Sequence, residues 1–431
     1  MATSEGMPTT QGGPNASSIG GLLTLNSLSY TMPNDLSVTV SRTCTDQYFQ
    51  SKDYAPGQTM VCVLNTGSAY VHPLRSYMRI GFVNTSSSAV CFGEGTAANL
   101  FSRLMISSRD GSILERIDSA NLLARIRQHY DFSFETNTTV FSAAGGRYNG
   151  FANTVGTGST YIQPQATVRF CIPLYLLSGF FSSTTLVRNT LASGMRLDIQ
   201  LASGDIALKK GSTDTNPEPL SYSISDCAIV TESYQLSDLV LRNLNQMASS
   251  SGLEYLFTTY FSTQGRRSTT SINIESRKAV SRALACTYIE TLPDSNQSKF
   301  QDSFASLPSN ILDIQARVGS LYLPNQSSIR GSTALLVAPE LYYNALQAYA
   351  PSLSHTVHVD LPSFENGKGI FATSLERDTL GGSGIPLSNS RVLSINGTFT
   401  PPPENTSYFV CLFLKHAALA RCFNSNCVIE V

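Results

Sequence analysis

The residue types that most often carry catalysis occur in this sequence without the spacing that a reaction needs. A serine-hydrolase elbow requires Gly-x-Ser-x-Gly, so that a strained turn exposes the nucleophile, and Gly-Gly-Ser-Gly-Ile at 381–385 lacks the final glycine. The run Gly-Glu-Gly-Thr-Ala-Ala at 93–98 lacks the last glycine of a dinucleotide-binding fingerprint. No Gly-x-x-x-x-Gly-Lys-Ser/Thr phosphate loop occurs. The sequence therefore gives no support to serine hydrolysis or nucleotide binding.

Histidines and acidic pairs give no better candidate for a site. His355 and His358 are the only histidines close in sequence, and the Thr-Val-His-Val context favours a strand, on which they would point to opposite faces. Two acidic pairs have no spacing that marks an acid–base couple: Glu290 with Asp294, and Glu376 with Asp378. We predict no catalytic, cofactor-binding or metal-binding residues, and hence no enzyme. An active site that only folding assembles is the alternative left open.

The cysteines indicate reduced thiols. They are odd in number, nine, and include no Cys-x-x-Cys pair. Cys62 and Cys411 sit within apolar runs, where a free cysteine behaves as a small buried hydrophobe. Cys422 and Cys427 form the only close pair, and no histidine stands nearby to complete a zinc site. The remaining cysteines are Cys44, Cys91, Cys171, Cys227 and Cys286.

Composition excludes a strongly charged partner. Charged residues make up 14% of the chain, against about 25% in soluble domains, and 29 basic residues balance 30 acidic ones. A net charge of -1 gives no field that attracts a polyanion, so we predict no direct sequence-specific binding of nucleic acid. The short basic clusters, such as Lys209-Lys210 and Arg266-Arg267, are interpreted as solvated loops. Abundant uncharged polar residues favour a β-rich chain that packs against copies of itself.

The N-terminal segment, residues 1–36, is predicted to be a flexible arm. It is rich in Gly, Ser, Thr, Asn and Pro and has little periodicity. It shows neither a signal peptide nor a basic amphipathic helix, so we expect assembly inside a cell and leave membrane contact open. The longest nearly apolar stretch, 172–181, is far shorter than the roughly 20 residues of a membrane span.

The elements that follow the arm are mostly strands. Period-two alternation or apolar runs predict strands at 36–40, 60–64, 168–172, 197–201, 271–274, 283–289, 391–395 and 408–414. Helical spacing predicts three helices, at 118–130, 237–248 and 339–349. Ser237 suits the N-cap of the second, and Pro339 suits the first turn of the third.

A turn-rich break at Ser249-Ser250-Ser251-Gly252 divides the chain into halves of similar size. Each half consists of strands, a long excursion with a helix, and strands again. We therefore predict an all-β fold of two consecutive eight-stranded jelly-roll sandwiches with short helices in connecting loops. The predicted domains are an arm at 1–36, a first jelly roll with its linking helix at 37–248, and a second at 249–431.

Several segments resemble double jelly-roll major capsid proteins of the lineage that includes polinton-like viruses, virophages and adenovirus hexons. Phe-Cys-Ile-Pro-Leu at 170–174 and Gly-Met-Arg-Leu-Asp-Ile at 194–199 are similar to closing strands of the first jelly roll. Tyr-Ser-Ile-Ser-Asp-Cys at 222–227 is similar to the junction between the rolls. Residues 315–326 and the helix at 340–343 resemble a passage of the second roll, and the resemblance covers most of 36–431.

The resemblance implies a viral major capsid protein located in the virion. Three copies would form a pseudo-hexameric trimeric capsomer, and capsomers would tile an icosahedral shell together with penton and minor capsid or cement proteins. The alternatives are a receptor- or carbohydrate-binding β-sandwich module, or a minor capsid or spike protein. The lack of tryptophan disfavours an aromatic binding cleft.

Overall fold

The computed structural model consists mainly of antiparallel strands in two successive sets. It describes residues 39–93, 95–148, 161–210, 219–250, 252–267, 270–291, 311–323, 329–330, 334–349, 359–376, 384–388, 391–401, 407–422 and 427–430. Three predictions fall on residues outside these ranges: the arm at 1–36, the histidines at 355 and 358, and most of the glycine-rich loop at 381–385.

The first set of strands forms two facing sheets. Its strands are β1 (Thr39–Tyr48), β2 (Asp53–Tyr54), β3 (Thr59–Val63), β4 (Tyr70–Asn84), β5 (Val90–Cys91), β6 (Phe101–Ser107), β7 (Ile113–Asp118), β8 (Thr167–Pro173), β9 (Arg196–Leu201), β10 (Lys209–Lys210) and β11 (Tyr222–Leu236). One sheet has the order β1-β11-β4-β8 and the other β3-β9-β6-β7. If these eight strands are numbered along the chain, the two orders are 1-8-3-6 and 2-7-4-5.

The second set repeats that order. Its strands are β12 (Leu253–Arg267), β13 (Ser271–Ser276), β14 (Val280–Thr291), β15 (Ile311–Val318), β16 (Leu321–Leu323), β17 (Ile329–Arg330), β18 (Phe371–Ser374), β19 (Ile385–Leu387), β20 (Leu393–Phe399), β21 (Tyr408–Cys422) and β22 (Cys427–Glu430). Its sheets run β12-β21-β14-β18 and β13-β20-β15-β16, which are again 1-8-3-6 and 2-7-4-5. The two halves are therefore two jelly rolls of the same topology.

Alternation along the strands explains how each sandwich fills its core. On β4, Met78, Ile80 and Phe82 occur at every second position and are fully buried. The Phe82 ring lies 5.7 Å from both Phe92 and Tyr222, measured between centroids. Such aromatic pairs contribute about 0.5–1.5 kcal/mol beyond the area that they bury. Buried residues of both rolls belong to one contiguous apolar cluster, so the rolls are packed together rather than merely tethered.

Short helices occupy the connections. They are α1 (Ala120–Tyr130), α2 (Phe134–Thr138), α3 (Leu174–Leu177), α4 (Asn189–Ala192), α5 (Gly204–Ala207), α6 (Asp238–Ser250), α7 (Ala334–Tyr349) and α8 (Leu361–Ser363), with single turns at Ala97–Leu100, Ser142–Gly146, Phe180–Ser182 and Phe364–Lys368. No helix of the described residues is long and apolar enough to cross a membrane. In each roll, the connection between the fifth and sixth strands carries the longest excursion helix, α1 or α7.

The helix predictions at 118–130 and 237–248 are confirmed by α1 and α6, but the start of the third helix was wrong. Helix α7 begins at Ala334, so Pro339 lies inside the helix and not in its first turn. An interior proline has no N–H for the carbonyl four residues earlier. The buried side chains of Val337 and Ala338 show that this first part of α7 packs against the body of the protein, which offsets that loss.

The predicted strands that fall on described residues are confirmed, whereas several long strands were missed. Strands β4, β11 and β12 each have 15 residues, and none was predicted over its full length. In β11, residues 227–233 are all buried. Side chains on both faces of the strand are therefore packed, and the alternation of apolar and polar residues that would predict a strand is absent. Helix α6 lies between β11 and β12, and the division of the chain at 248/249 stays a prediction.

Candidate functional site

The histidines and acidic residues of the described part of the chain are distributed over several elements. Among them, no three His, Cys, Asp or Glu side chains lie close enough together to hold a metal ion. His72, His129 and His416 lie on different elements, β4, α1 and β21. Glu290, one of the acids considered above, is instead ion-paired with Arg267 inside the second roll, with two N···O distances of 2.6 Å. Asp294 and Asp378 lie outside the described residues.

Polar groups are concentrated instead where the two rolls meet. We call this region the seam: the contacts of β7, α1 and the Phe180–Ser182 turn of the first roll with β12 of the second. Glu115 of β7 is buried there and bonds to both rolls. Its carboxylate accepts hydrogen bonds from the Gly179 amide at 3.0 Å, from the Thr259 hydroxyl at 2.9 Å and from the Ser178 hydroxyl. Burial raises the pKa of Glu115 against the lowering effect of these donors.

A buried arginine of α1 ties the connecting segments of the first roll to the second. The Arg127 guanidinium donates to Asp131 at 2.9 Å and to the Ser182 hydroxyl at 3.0 Å. It also lies 5.5 Å from the ring centroid of Tyr260 on β12, within the range of a cation–π contact. The Tyr260 hydroxyl donates to Asp131 at 3.3 Å. Burial raises the pKa of Asp131, but the charges of Lys415 and Arg127 outweigh it, so the net shift is downward.

Strand β12 is held by the first roll on both of its faces. Thr259 and Tyr260 are adjacent and point to opposite faces, yet they bond to Glu115 and Asp131 respectively. The backbones also touch, because a Cβ added to Gly179 would lie 2.0 Å from the Thr258 carbonyl oxygen. Only a glycine fits this approach without displacement. The seam therefore fixes how the rolls are oriented relative to each other.

The corresponding face of the first roll is open. Strands β1 and β11 occupy the positions that β12 and β21 have in the second roll. The outward side chains of β1 include Val40, 69% exposed, and Tyr48, 67% exposed. Two cross-strand ion pairs lie between them along β1, from Arg42 to Glu232 at 2.6 Å and from Arg79 to Asp46 at 2.9 Å. The second roll thus has part of its first strand covered by the first roll, whereas residues 42–46 of β1 are exposed to solvent.

Sequence reasoning did not single out any residue of the seam. Arg127 and Glu115 are charged, and charged residues are normally read as solvent-exposed. The one available signal was the mixed composition of α1, in which Arg125, Arg127 and His129 occur among apolar residues such as Leu123 and Ile126. All three are buried, so α1 has no solvent-exposed face at all.

Comparisons with known proteins identify the fold of the chain but find no match in sequence. No family model matches the chain, and no curated protein matches it in sequence. Among solved structures, the capsid of the virus PBCV-1 aligns with a TM-score of 0.63 at 11% identity, over 94% of this chain and 99% of that chain. The Faustovirus major capsid protein aligns with a TM-score of 0.61 at 8% identity, over 91% and 92%.

This is the fold of viral major capsid proteins. The mavirus major capsid protein also aligns, with a TM-score of 0.55 at 11% identity, over 100% of this chain and 97% of that chain. The coverage of nearly the whole of each chain means that both jelly rolls take part in the likeness. The predicted double jelly-roll fold is therefore confirmed.

Proposed function

We propose that this chain is a viral major capsid protein, located in the virion, whose capsomers tile an icosahedral shell. The observation that carries the proposal is the repeat of one strand order in two consecutive rolls, together with the alignment of both rolls to solved major capsid proteins. Its role is structural, and we assign it no reaction. A fold alone does not imply a function. Assembly also requires a surface through which copies of the chain could join.

The seam suggests how copies would associate. In the second roll the first roll covers β12 around Thr259 and Tyr260, whereas residues 42–46 of β1 in the first roll are exposed on both faces of the strand. We infer that the β1 face is covered by the second roll of another copy. The two contacting surfaces would then differ, which makes the interface heterologous, and such interfaces form closed rings when the rotation closes.

A ring of three chains places six similar rolls around one axis, which is the pseudo-hexameric trimer. Each chain would contribute one internal seam and one seam with a neighbour. Contacts between such trimers, and with penton and minor capsid or cement proteins at special positions of the shell, belong to the same proposal.

The mass of the purified chain in solution tests the proposal. We expect three times the chain mass by light scattering at micromolar concentration. The double variant Val40→Lys/Tyr48→Lys should be a folded monomer, because it places a charge near each end of the β1 face that the contact would bury. The matched control is Val63→Lys on β3, where the side chain is 47% exposed on the other sheet of the same roll.

A strictly monomeric wild-type protein would contradict the proposal and favour a binding module. A trimer that tolerates both lysines as well as it tolerates Val63→Lys would place the contact on another face. Electron microscopy of the expressed protein supplies the further readout, since hexagonal capsomers or shells identify the assembly directly.

A further inference from the structure

A cavity lies where helix α6 meets both jelly rolls. Its volume is about 370 Å³, which is within the range of small-ligand pockets. The first roll, α6 and the start of β12 each contribute walls, and the lining is mostly apolar. The apolar lining residues include Leu186, Leu191, Leu244, Met247 and Leu253.

One cationic side chain, Arg188, is directed into this cavity. Its Nη2 atom donates to the Asn245 side-chain oxygen at 2.7 Å. Its Nε and Nη1 atoms are buried, and neither makes a well-formed hydrogen bond with a described residue. The Tyr70 hydroxyl lies beside the guanidinium: burial raises the pKa of Tyr70, and the charge of Arg188 and a weak hydrogen bond with it oppose that rise.

Two buried donor atoms without a well-formed hydrogen bond are costly on a permanent cation, although the Arg188 side chain as a whole is only half-buried. Arginine does not lose its charge in proteins, so it cannot relieve the cost by deprotonation. Buried donors without partners are rare and usually indicate a bound water or ligand. A planar carboxylate would accept from both N–H groups at once. Glu254, which also lines the cavity, does not compete, because it is exposed and paired with Arg421 at 2.8 Å.

We propose that this cavity binds an amphipathic carboxylate, with its alkyl chain between α6 and β12 and its carboxylate on Arg188. At about 30 Å³ for each water-sized group, the volume accommodates a chain of about ten carbons. The site is separate from the proposed contact between copies and goes beyond a purely structural role. A ligand there touches both rolls and the helix that links them, so it would stiffen the joint between the rolls.

Calorimetric titration of the full-length protein with decanoate tests the site. We expect saturable binding with one ligand per chain. Octanoate should bind about fifteenfold more weakly, since each buried methylene contributes about a fourfold change in affinity. Decanol has the same chain without the charge and should bind at least tenfold more weakly than decanoate.

Two variants distinguish the contribution of the Arg188 charge to ligand binding from that of the cavity volume. Arg188→Gln should weaken decanoate binding at least tenfold and leave decanol binding nearly unchanged. Met247→Phe keeps the charge but fills the cavity, and it should remove the binding of both. The control Arg169→Gln changes an exposed arginine that pairs with Asp226 at 2.6 Å on the open sheet face, and its affinity should equal that of the wild type.

The proposal is overturned if decanoate does not bind to the wild-type protein at up to millimolar concentration. It is also overturned if decanoate binding survives both Arg188→Gln and Met247→Phe, because the ligand then lies elsewhere. Circular dichroism establishes that each variant is folded. Ligand binding is counted per chain, so its result does not depend on whether the protein is a trimer.

Discussion

Two kinds of residue hold the seam together. Buried polar side chains such as Glu115 and Arg127 take hydrogen-bond partners from several segments, and a glycine allows two backbones to touch. Breaking one member of a buried polar network is expensive, because its partners remain desolvated without a replacement. At this scale the seam is specified by shape and by hydrogen bonding together.

Gly179→Ala tests the close approach of the backbones. The added methyl would collide with the Thr258 carbonyl oxygen, so either the Phe180–Ser182 turn or β12 must shift. We expect a loss of about 1–3 kcal/mol in the free energy of unfolding, which is typical of overpacking. Urea denaturation measures it. In the control Gly265→Ala the nearest atom is a methyl of Val410 at 3.3 Å, and a much smaller loss is expected. Equal losses for the two variants would contradict the argument.

At the scale of the elements, burial on both faces decided which strands the sequence revealed. Strands with one solvent face, such as β3, alternate clearly and were predicted. Strand β11 is buried continuously over 227–233, and such a run cannot be distinguished from a buried helix by periodicity alone. Helix α1 was predicted from its helical spacing, but the burial of its charged residues was not.

Pro339→Ala tests where α7 begins. An interior proline costs the helix about 3 kcal/mol, whereas its stiffening of the unfolded chain returns about 1 kcal/mol or less. Because Pro339 lies inside α7 and is exposed, we expect alanine to raise the free energy of unfolding by about 1–2 kcal/mol. The control Pro362→Ala changes a proline in the first turn of α8, where a small loss is expected. A loss at Pro339 as well would mean that α7 begins there.

At the scale of the whole molecule, the chain is asymmetric in a way that favours assembly. Two rolls of one topology differ in how far their first strand is covered: the first roll covers β12 around Thr259 and Tyr260, whereas residues 42–46 of β1 are exposed. Tyr48 and Val40 are large exposed residues near the two ends of β1, and the ion-paired Arg42 and Asp46 lie between them. Exposed apolar residues close to charged groups are common in protein contacts.

Deletion of residues 1–30 tests the arm at this scale. We expect the truncated chain to remain folded and to form trimers, because the described strands begin at Thr39. Contacts between capsomers should weaken, which sedimentation and electron microscopy of assembled particles would detect as fewer or less stable shells. Loss of the folded state by circular dichroism would show that the segment belongs to a core and not to an arm.

The sequence by itself determined the fold class, the two successive sets of strands and three helices, of which only the start of the third was misplaced. These depend on local patterns: alternation for strands such as β3, helical spacing for α1 and α6, and a turn-rich break after α6. The resemblance to capsid proteins extended this to the double jelly roll. Such features can be predicted from a single sequence because they depend on residues that are close together in the chain.

Only the tertiary structure decided the seam, the open β1 face and the cavity at Arg188. Glu115 and Thr259 are 144 residues apart, and nothing local to either indicates that they meet. From the sequence, Arg127 would be expected at the surface, but Tyr260 of β12 packs against it. Arg188 would be expected in an exposed loop, but it lines the cavity beside α6. Long-range packing sets these contacts, because the burial of a charge depends on what the whole fold brings against it.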